Sequence, residues 1–486
     1  MTILFSVQNF GFLRNFQSTV ALLAERGHSV HIVADRADRV GGPQLLEALT
    51  AAHPGITHEI LKSPRRGKWV GIAALVRLTI DYWRYLEPRF AQAVQLRARA
   101  EEHVPRIVVV IPRLPLFRSS LGRRLLMRWA RAVERVIPPR PDIENLLEKR
   151  KPDLLLLTPL LYFGSTQVDY VRAARQRGIP SVLGVGSWDH LTTKGLIHEA
   201  PDCVIVWNEM QREEARELHG IDPSKVVVTG AQAYDHWFSR RVSTTRGDFC
   251  DRVGLPADRP YLLYLCSSPF ITPHEVPFIR RWIAAFRSHS DPAVRSLGLL
   301  IRPHPQNATQ WKDIDLTDDG AVAIWPRAGA NPIGADARAE YYDSMFHSHA
   351  VVGVNTSALI ESGIVGRVVF SLLVDEFSGT QEGTLHFQHL KNAGGGLLRL
   401  ASTLDQHVAQ VAASLGESAD RDQSQSRGFV KAFIRPHGLD VPATPRVVEA
   451  IEHAATLRLS PHAPTLATTV GRLVLSPVDE LLRLRG

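Results

Sequence analysis

Cysteine is scarce. The 486 residues hold only Cys203, Cys250 and Cys266, too few and too scattered for a disulfide framework or a zinc site. Long apolar runs are missing as well: no stretch reaches the roughly 18 apolar residues that span a bilayer. The opening, Met1-Thr-Ile-Leu-Phe-Ser-Val7, has no basic n-region and runs straight into a strand pattern, so it does not read as a signal peptide. These absences predict a cytoplasmic protein. The first loop, residues 8–15, carries one glycine where a dinucleotide fingerprint carries three, which leaves NAD binding unsupported. There is no zinc-finger spacing and no aromatic-basic strand of the RNA-binding kind, so nucleic acid is not an expected partner.

What is present is ordinary in bulk and uneven in detail. The apolar fraction of 44% and charged fraction of 22% suit a globular protein. The length exceeds what one core usually serves, so two domains are expected. Net charge is +8, and part of the excess is local. Between Arg113 and Arg140 stand Arg118, Arg123, Arg124, Arg128, Arg131 and Arg135 against a single acid, Glu134. Leu125, Leu126, Met127, Trp129 and Val133 interleave with them. The pattern predicts a basic amphipathic helix that either lies on an anionic membrane surface at the inner face, grips an anionic acceptor, or is simply solvated.

The rest of the chain alternates strand and helix patterns. Ile3–Val7, a loop, a helix over 16–26 and Ser29–Ala34 form a first βαβ unit. After a mostly helical insertion at about 60–140, carrying Trp69, Tyr82, Trp83 and Tyr85, the alternation resumes at 153–157, 181–185, 203–207 and 226–229. It restarts at 260–265 and continues through 298–301, 321–325, 351–354, 368–370 and 397–400. The prediction is an α/β protein of two doubly wound, Rossmann-like domains facing a central cleft. They cover 1–236 and 237–425, with 426–486 as a helical segment packing back on the domains. The amphipathic tail, with Val470, Leu473, Val474, Leu475, Leu481 and Leu482, is expected to dock back on a domain, with contact to a membrane as the alternative.

Ligands of open α/β sheets bind outside the carboxyl ends of the strands, so those loops hold the candidates. After the first strand, Asn9, Gly11 and Arg14 are either acceptor contacts or an ordinary capped turn. The stretch Gly186-Ser-Trp-Asp-His-Leu-Thr-Thr-Lys-Gly195 is dense in reactive groups. Asp189 and His190 are candidates for a general base and its partner, Trp188 for stacking on a sugar or base, and Lys194 for a phosphate or carboxylate. A polar loop whose Asp and His satisfy backbone groups is the competing reading. In the second half, Ser267 and Ser268 follow one strand, Arg302-Pro-His-Pro305 follows the next, and Asn355-Thr-Ser-Ala-Leu-Ile-Glu361 opens a helix after a third. Hydroxyls and helix-start amides suit a diphosphate, Arg302 and His304 add positive charge and a donor, and Glu361, one turn on, suits a ribose. The three strand ends are expected to converge on one crevice.

The two α/β halves, the Arg302-Pro-His-Pro305 turn and the Asn355 to Glu361 helix start resemble the GT-B superfamily, near the CDP-glycerol glycerophosphotransferase and surface-polysaccharide transferase type. Arg26-Gly-His-Ser-Val30 is similar to the opening of many GT-B glycosyltransferases. The resemblance implies a glycosyl or polyol-phosphate transferase of cell-surface polysaccharide or glycoconjugate biosynthesis. Its nucleotide-sugar or CDP-polyol donor would sit on the second domain against Ser267, Ser268, Arg302, His304, Asn355, Thr356, Ser357 and Glu361. A glycan or lipid-linked acceptor would enter from the first, with Asp189 or His190 as base. Neither metal nor other cofactor is implied, since no Asp-x-Asp motif stands in a fitting place. UDP-N-acetylglucosamine 2-epimerases share the architecture and form the alternative, beside a non-catalytic GT-B-like binding protein. An epimerase would be expected to carry His-Arg after the first strand of the second domain and a Ser-Gly-Gly-like helix start; this chain has His274-Glu275 and Thr356-Ser357-Ala358.

Overall fold

The computed structural model describes residues 1–38, 41–62, 67–91, 93–316, 319–416 and 419–485, and the side chains of 419–423 and 481–485 lie outside that description. The expectation for Leu481 and Leu482 falls on these. The chain forms two compact units, Met1–Ala233 together with Asp440–Gly486, and Tyr234–Leu439. The C-terminal segment divides differently from the expectation, because residues up to Leu439 belong to the second unit and only those from Asp440 onward return to the first.

The first unit is built on β1 (Thr2–Val7), β2 (Ser29–Ala34), β3 (Ile56–Ile60), β4 (Leu154–Thr158), β5 (Ser181–Gly184), β6 (Cys203–Val206) and β7 (Val226–Val228). They make one parallel sheet in the order β3-β2-β1-β4-β5-β6-β7. Central strands covered on both faces read as unbroken apolar runs, and β4, Leu-Leu-Leu-Leu-Thr, is buried throughout. Edge strand β3 breaks that rule. Thr57 and His58 are exposed, so the segment lacks the apolar run that marks the others and passes unnoticed in the sequence.

Two additions complete this unit. The helix Ala443–Ala455 buries Val447, Val448 and Ile451 in the core formed by β1, β2 and the helix Gln17–Glu25. The hydroxyls of Ser18 and Thr444 lie 2.9 Å apart, and Arg26 pairs with Glu452 at 2.7 Å. The helical insertion is fixed by a buried charge network. On the basic helix Ser120–Val136, Glu134 accepts from Arg77 of the helix Val70–Arg84 at 3.3 Å and from His198 at 3.1 Å. His198 reaches Asp81 on its other ring nitrogen at 3.0 Å, and Arg77 also binds Asp169 of the helix Val168–Gln176. Trp69, Tyr82, Trp83 and Tyr85 are buried in the insertion. Among the described residues no helix is long and apolar enough to cross a membrane.

The second unit holds β8 (Tyr261–Leu265), β9 (Gly298–Arg302), β10 (Val322–Ile324), β11 (Ala350–Gly353), β12 (Val368–Leu372) and β13 (Leu398–Ala401). All pair in parallel, in the order β10-β9-β8-β11-β12-β13. Strand order reverses between β8 and β11, so the loops after these two strands diverge to opposite faces and leave a crevice at their carboxyl ends. The helix Val276–Arg287 covers one face through Phe278, Ile279, Trp282, Ile283 and Phe286.

Candidate functional site

In the second unit β9, β8 and β11 are neighbours, so Ser267, Arg302 and Asn355 leave adjacent strand ends. Ser267 is fully buried. Its amide donates to Glu275 at 3.1 Å, and its hydroxyl accepts from the Asn355 amide at 3.5 Å. Ser268 is half-buried, and its carbonyl caps the next turn by accepting from Ile271 and Thr272. Asn355 is buried; its Nδ2 donates to the Thr380 carbonyl at 2.6 Å, while its Oδ1 is buried without a partner. Thr356 is half-buried and Ser357 exposed at the start of the helix Ala358–Ile364. The Thr356 hydroxyl accepts from the Ala358 amide at 3.4 Å.

Arg302 departs from its expected role. Its guanidinium is buried in a two-pronged pair with Glu340, at 2.7 and 3.0 Å, and lies 4.7 Å above the Tyr341 ring. Such a pair neutralises the charge, so Arg302 organises the site rather than offering an unshared cation. Tyr341 in turn donates its hydroxyl to Glu361. One helix, Ala335–Phe346, thereby ties the end of β9 to the first turn after β11. His304 is half-buried, and its Nδ1 accepts from the Gln306 amide at 3.2 Å. In the neutral ring that bond places the proton on Nε2.

Glu340 and Tyr341 are not among the candidates read from the sequence, and Glu275 enters there only as a departure from the epimerase pattern, not as a site residue. Glu275 is fully buried, receives the Ser267 amide and the Tyr264 hydroxyl, and is pushed up to about 7, burial being the first cause. Glu340 and Tyr341 lie on the helix Ala335–Phe346, whose sequence carries little amphipathic pattern to mark it. Local pattern does not tell which face of that helix meets a strand end in another part of the chain.

In the first unit the loops after β1 and β5 lie close together. A Cβ on Gly186 would stand 3.1 Å from the Phe16 ring and 3.4 Å from Asn15 Nδ2. Asn9 caps its turn by accepting from the Gly11 amide at 3.0 Å. Gly11 stands close to two side chains: a Cβ there would lie 2.7 Å from Asp38 Oδ2 and 3.0 Å from Asn9 Oδ1. Arg14 is exposed. Asp189 is half-buried and accepts from the hydroxyls of Ser187 at 2.6 Å and Thr193 at 3.1 Å. His190 has another job than base or base's partner: Nδ1 accepts from the Gly186 amide at 3.0 Å and Nε2 donates to the Pro159 carbonyl at 2.7 Å. Burial, then Lys194, push it down to about 3, so it is a neutral clamp between two loops. Trp188 is buried rather than presented for stacking. Lys194 is half-buried, and its carbonyl accepts from Tyr85 at 2.7 Å.

Among the described residues no group of three or more His, Cys, Asp or Glu side chains is arranged to hold a metal ion. Two surface concavities of about 380 and 280 Å³ lie away from these strand ends, the first beside Arg259, Arg287 and Arg295 and the second beside Tyr82, Arg97 and Arg113.

No protein-family model matches the chain. No curated protein matches it either. Solved structures do. A glycosyltransferase from Rickettsia africae ESF-5 aligns with TM-score 0.53 and 10% identity, over 94% of this chain and 99% of that one. The UDP-GlcNAc 2-epimerase of Methanocaldococcus jannaschii, in complex with UDP-GlcNAc and UDP, aligns with TM-score 0.50 and 13% identity, over 93% and 100%. The Neisseria meningitidis UDP-GlcNAc 2-epimerase bound to UDP-GlcNAc gives 0.51 and 13%, over 93% and 100%. At these identities the likeness is one of fold. The protein has a GT-B-like architecture of two Rossmann-like parallel sheets with helices.

Proposed function

We propose that the protein is a transferase that takes a glycosyl or polyol-phosphate group from a nucleotide-activated donor, and that the second unit holds the donor. One observation carries this reading: at the β8/β11 switch point, Arg302, Glu340, Tyr341 and Glu361 form a single connected set ending in a carboxylate beside a helix start. A ribose diol suits Glu361, and a diphosphate suits the Thr356 and Ser357 end with His304 Nε2 as donor. Charge developing on the leaving diphosphate would be met by that donor and by backbone amides, a scheme that calls for no metal. Asp189 is the candidate base for an acceptor hydroxyl, because His190 has both nitrogens engaged with the backbone. The fold of sugar-nucleotide enzymes supports the donor class, while His274-Glu275 and Thr356-Ser357-Ala358 argue against epimerisation.

The test is a thermal-shift screen of nucleoside diphosphates and their sugar or polyol conjugates, since a ligand of the folded state raises the melting temperature with concentration over affinity. One base is expected to stand out. Glu361→Gln, which preserves an acceptor for Tyr341, and His304→Ala should each weaken that ligand by roughly tenfold to a hundredfold, the range for a hydrogen bond to a charged group. No stabilising nucleotide, or unchanged binding in both variants, would sink the donor site in favour of a non-catalytic binding role. Formation of the 2-epimer from UDP-N-acetylglucosamine without any acceptor would replace transfer by epimerisation.

A further inference from the structure

Among the described residues, nineteen large apolar side chains are exposed; seven fall within 107–129 and five within 466–478. Twelve of nineteen on two short segments of one unit is a concentrated apolar surface, and isolated monomers seldom leave such patches without use. On the basic helix Ser120–Val136, Gly122, Ala130 and Glu134 face inward. Leu121, Leu125 and Trp129 recur at i, i+4 and i+8 and stand exposed, Trp129 at 64%. Beside them Arg124, Arg128, Arg131 and Arg135 form a second row, also exposed. Glu134, the one acid between residues 103 and 141, is buried under the helix. The outer face therefore carries apolar and cationic rows with no acid between them.

The helix Leu466–Arg485 lies against the end of this surface. Its inner face is anchored: Arg472 donates to the Val136 carbonyl at 3.0 Å, Leu475 packs against Trp69, Ile72 and Ile137, and Asp479 accepts from the Trp69 amide at 2.9 Å. A Cβ on Gly471 would sit 2.7 Å from Val136. Val136 is two turns on from Trp129, on the same side of the basic helix, so the second helix extends the apolar row. Its outer face presents Val470, Leu473 at 71% and Val474 at 68%.

We propose that these two helices form a docking surface for an anionic lipid bilayer. The arginine row would lie over headgroup phosphates, with Trp129, Leu121, Leu125, Leu473 and Val474 at the headgroup–acyl boundary. An amphipathic helix with a strongly basic face and apolar anchors lies in that interface, and tryptophan prefers it. Charge decides between the candidate occupants. A second copy joined by a two-fold axis meets the same patch on its partner, which would set arginine row against arginine row. Anionic headgroups complement it. The surface is independent of the donor-site reading.

The test uses the full chain with vesicles of phosphatidylcholine, with and without phosphatidylglycerol. Co-sedimentation with the anionic vesicles alone is expected at low salt, falling steeply at high salt as the Debye length shrinks. Arg124→Glu with Arg128→Glu and Arg131→Glu should lower partitioning by about a hundredfold or more, from the usual contribution of each basic side chain near such a surface. Leu473→Asp with Val474→Asp should also lower it, with the circular-dichroism melting curve unchanged because these side chains are exposed. Should either variant fold poorly, the salt titration of the unaltered protein decides. Failure to sediment with anionic vesicles at low salt, equal binding to neutral vesicles, or a dimer in light scattering that Leu473→Asp dissolves without vesicle binding would each overturn the proposal.

Discussion

Glu275 sits sealed beneath the switch point of the second unit, its carboxylate receiving the Ser267 amide and the Tyr264 hydroxyl. Burial outweighs these donors and those from the Thr272 and Cys266 side chains, and raises its pKa from 4.5 to about 7. The sign follows from proton linkage. Below about 4.5 both folded and unfolded chains hold this proton; between 4.5 and 7 only the folded chain does, so stability falls as pH rises through that window and levels off above it. The loss attributable to this one group is about 3 kcal/mol. A denaturant series from pH 4.5 to 8 should show that decline, and Glu275→Gln should flatten it; an equal slope in the variant would assign the effect elsewhere. The same local bonding separates His190 from Asp189, which lie side by side in a loop that looks uniformly reactive in sequence. Backbone partners occupy both nitrogens of the imidazole, whereas the carboxylate accepts from two hydroxyls.

At the scale of elements, the basic helix shows how one buried acid can orient many exposed cations. Glu134 is held well below the usual carboxylate range, burial opposing but His198, Arg172 and Arg77 prevailing. Burial opposes the charge on His198, yet Asp81 and Glu134 raise it to about 9, so its contribution is complete below about 6.5 and is lost as pH rises through 9, while that of Glu134 is complete above about 4.5 and is lost as pH falls toward its lowered value. Because one face of the helix is tied down this way, the arginines on the other face stay in solvent. Removing one member of a buried ion network leaves its partners uncompensated and costs about 3–5 kcal/mol. Glu134→Gln should lower the stability of the first unit by that order in urea unfolding, and Arg124→Gln on the outer face should leave it within about 0.5 kcal/mol. Equal effects of the two would mean that the network does not hold the helix. The helix Ala335–Phe346 is the counterpart in the second unit: its value lies in joining Arg302 to Glu361, which neither strand end does alone.

Across the whole molecule, the chain leaves the first unit at Ala233, builds the second, and returns at Asp440. The returning helix contributes Val447, Val448 and Ile451 to a core whose other members lie near the N-terminus. Ile451→Ala should therefore destabilise the first unit by about 2–5 kcal/mol, the usual cost of such a truncation. If, as proposed, the second unit holds the donor nucleotide, the thermal shift it gives should persist for that unit's transition. A variant that abolishes nucleotide binding at temperatures where the second unit is folded would contradict this division.

The sequence by itself determined the elements that are buried on both faces and the alternation that makes them parallel. Runs such as Leu154–Thr158 and Tyr261–Leu265 can hide only within a covered sheet, so two doubly wound domains, and loops at their strand ends as candidate sites, follow from local pattern. It did not reveal edge strand β3, whose exposed residues carry no apolar run. Partnerships across long separations were also beyond it. Tertiary structure alone decided that Arg302 is matched by Glu340, that Tyr341 holds Glu361, that His190 is a clamp, and that residues from 440 onward belong to the first unit. Periodicity records which side of an element is buried, whereas charge pairing and hydrogen bonding depend on which distant side chain fills the space opposite.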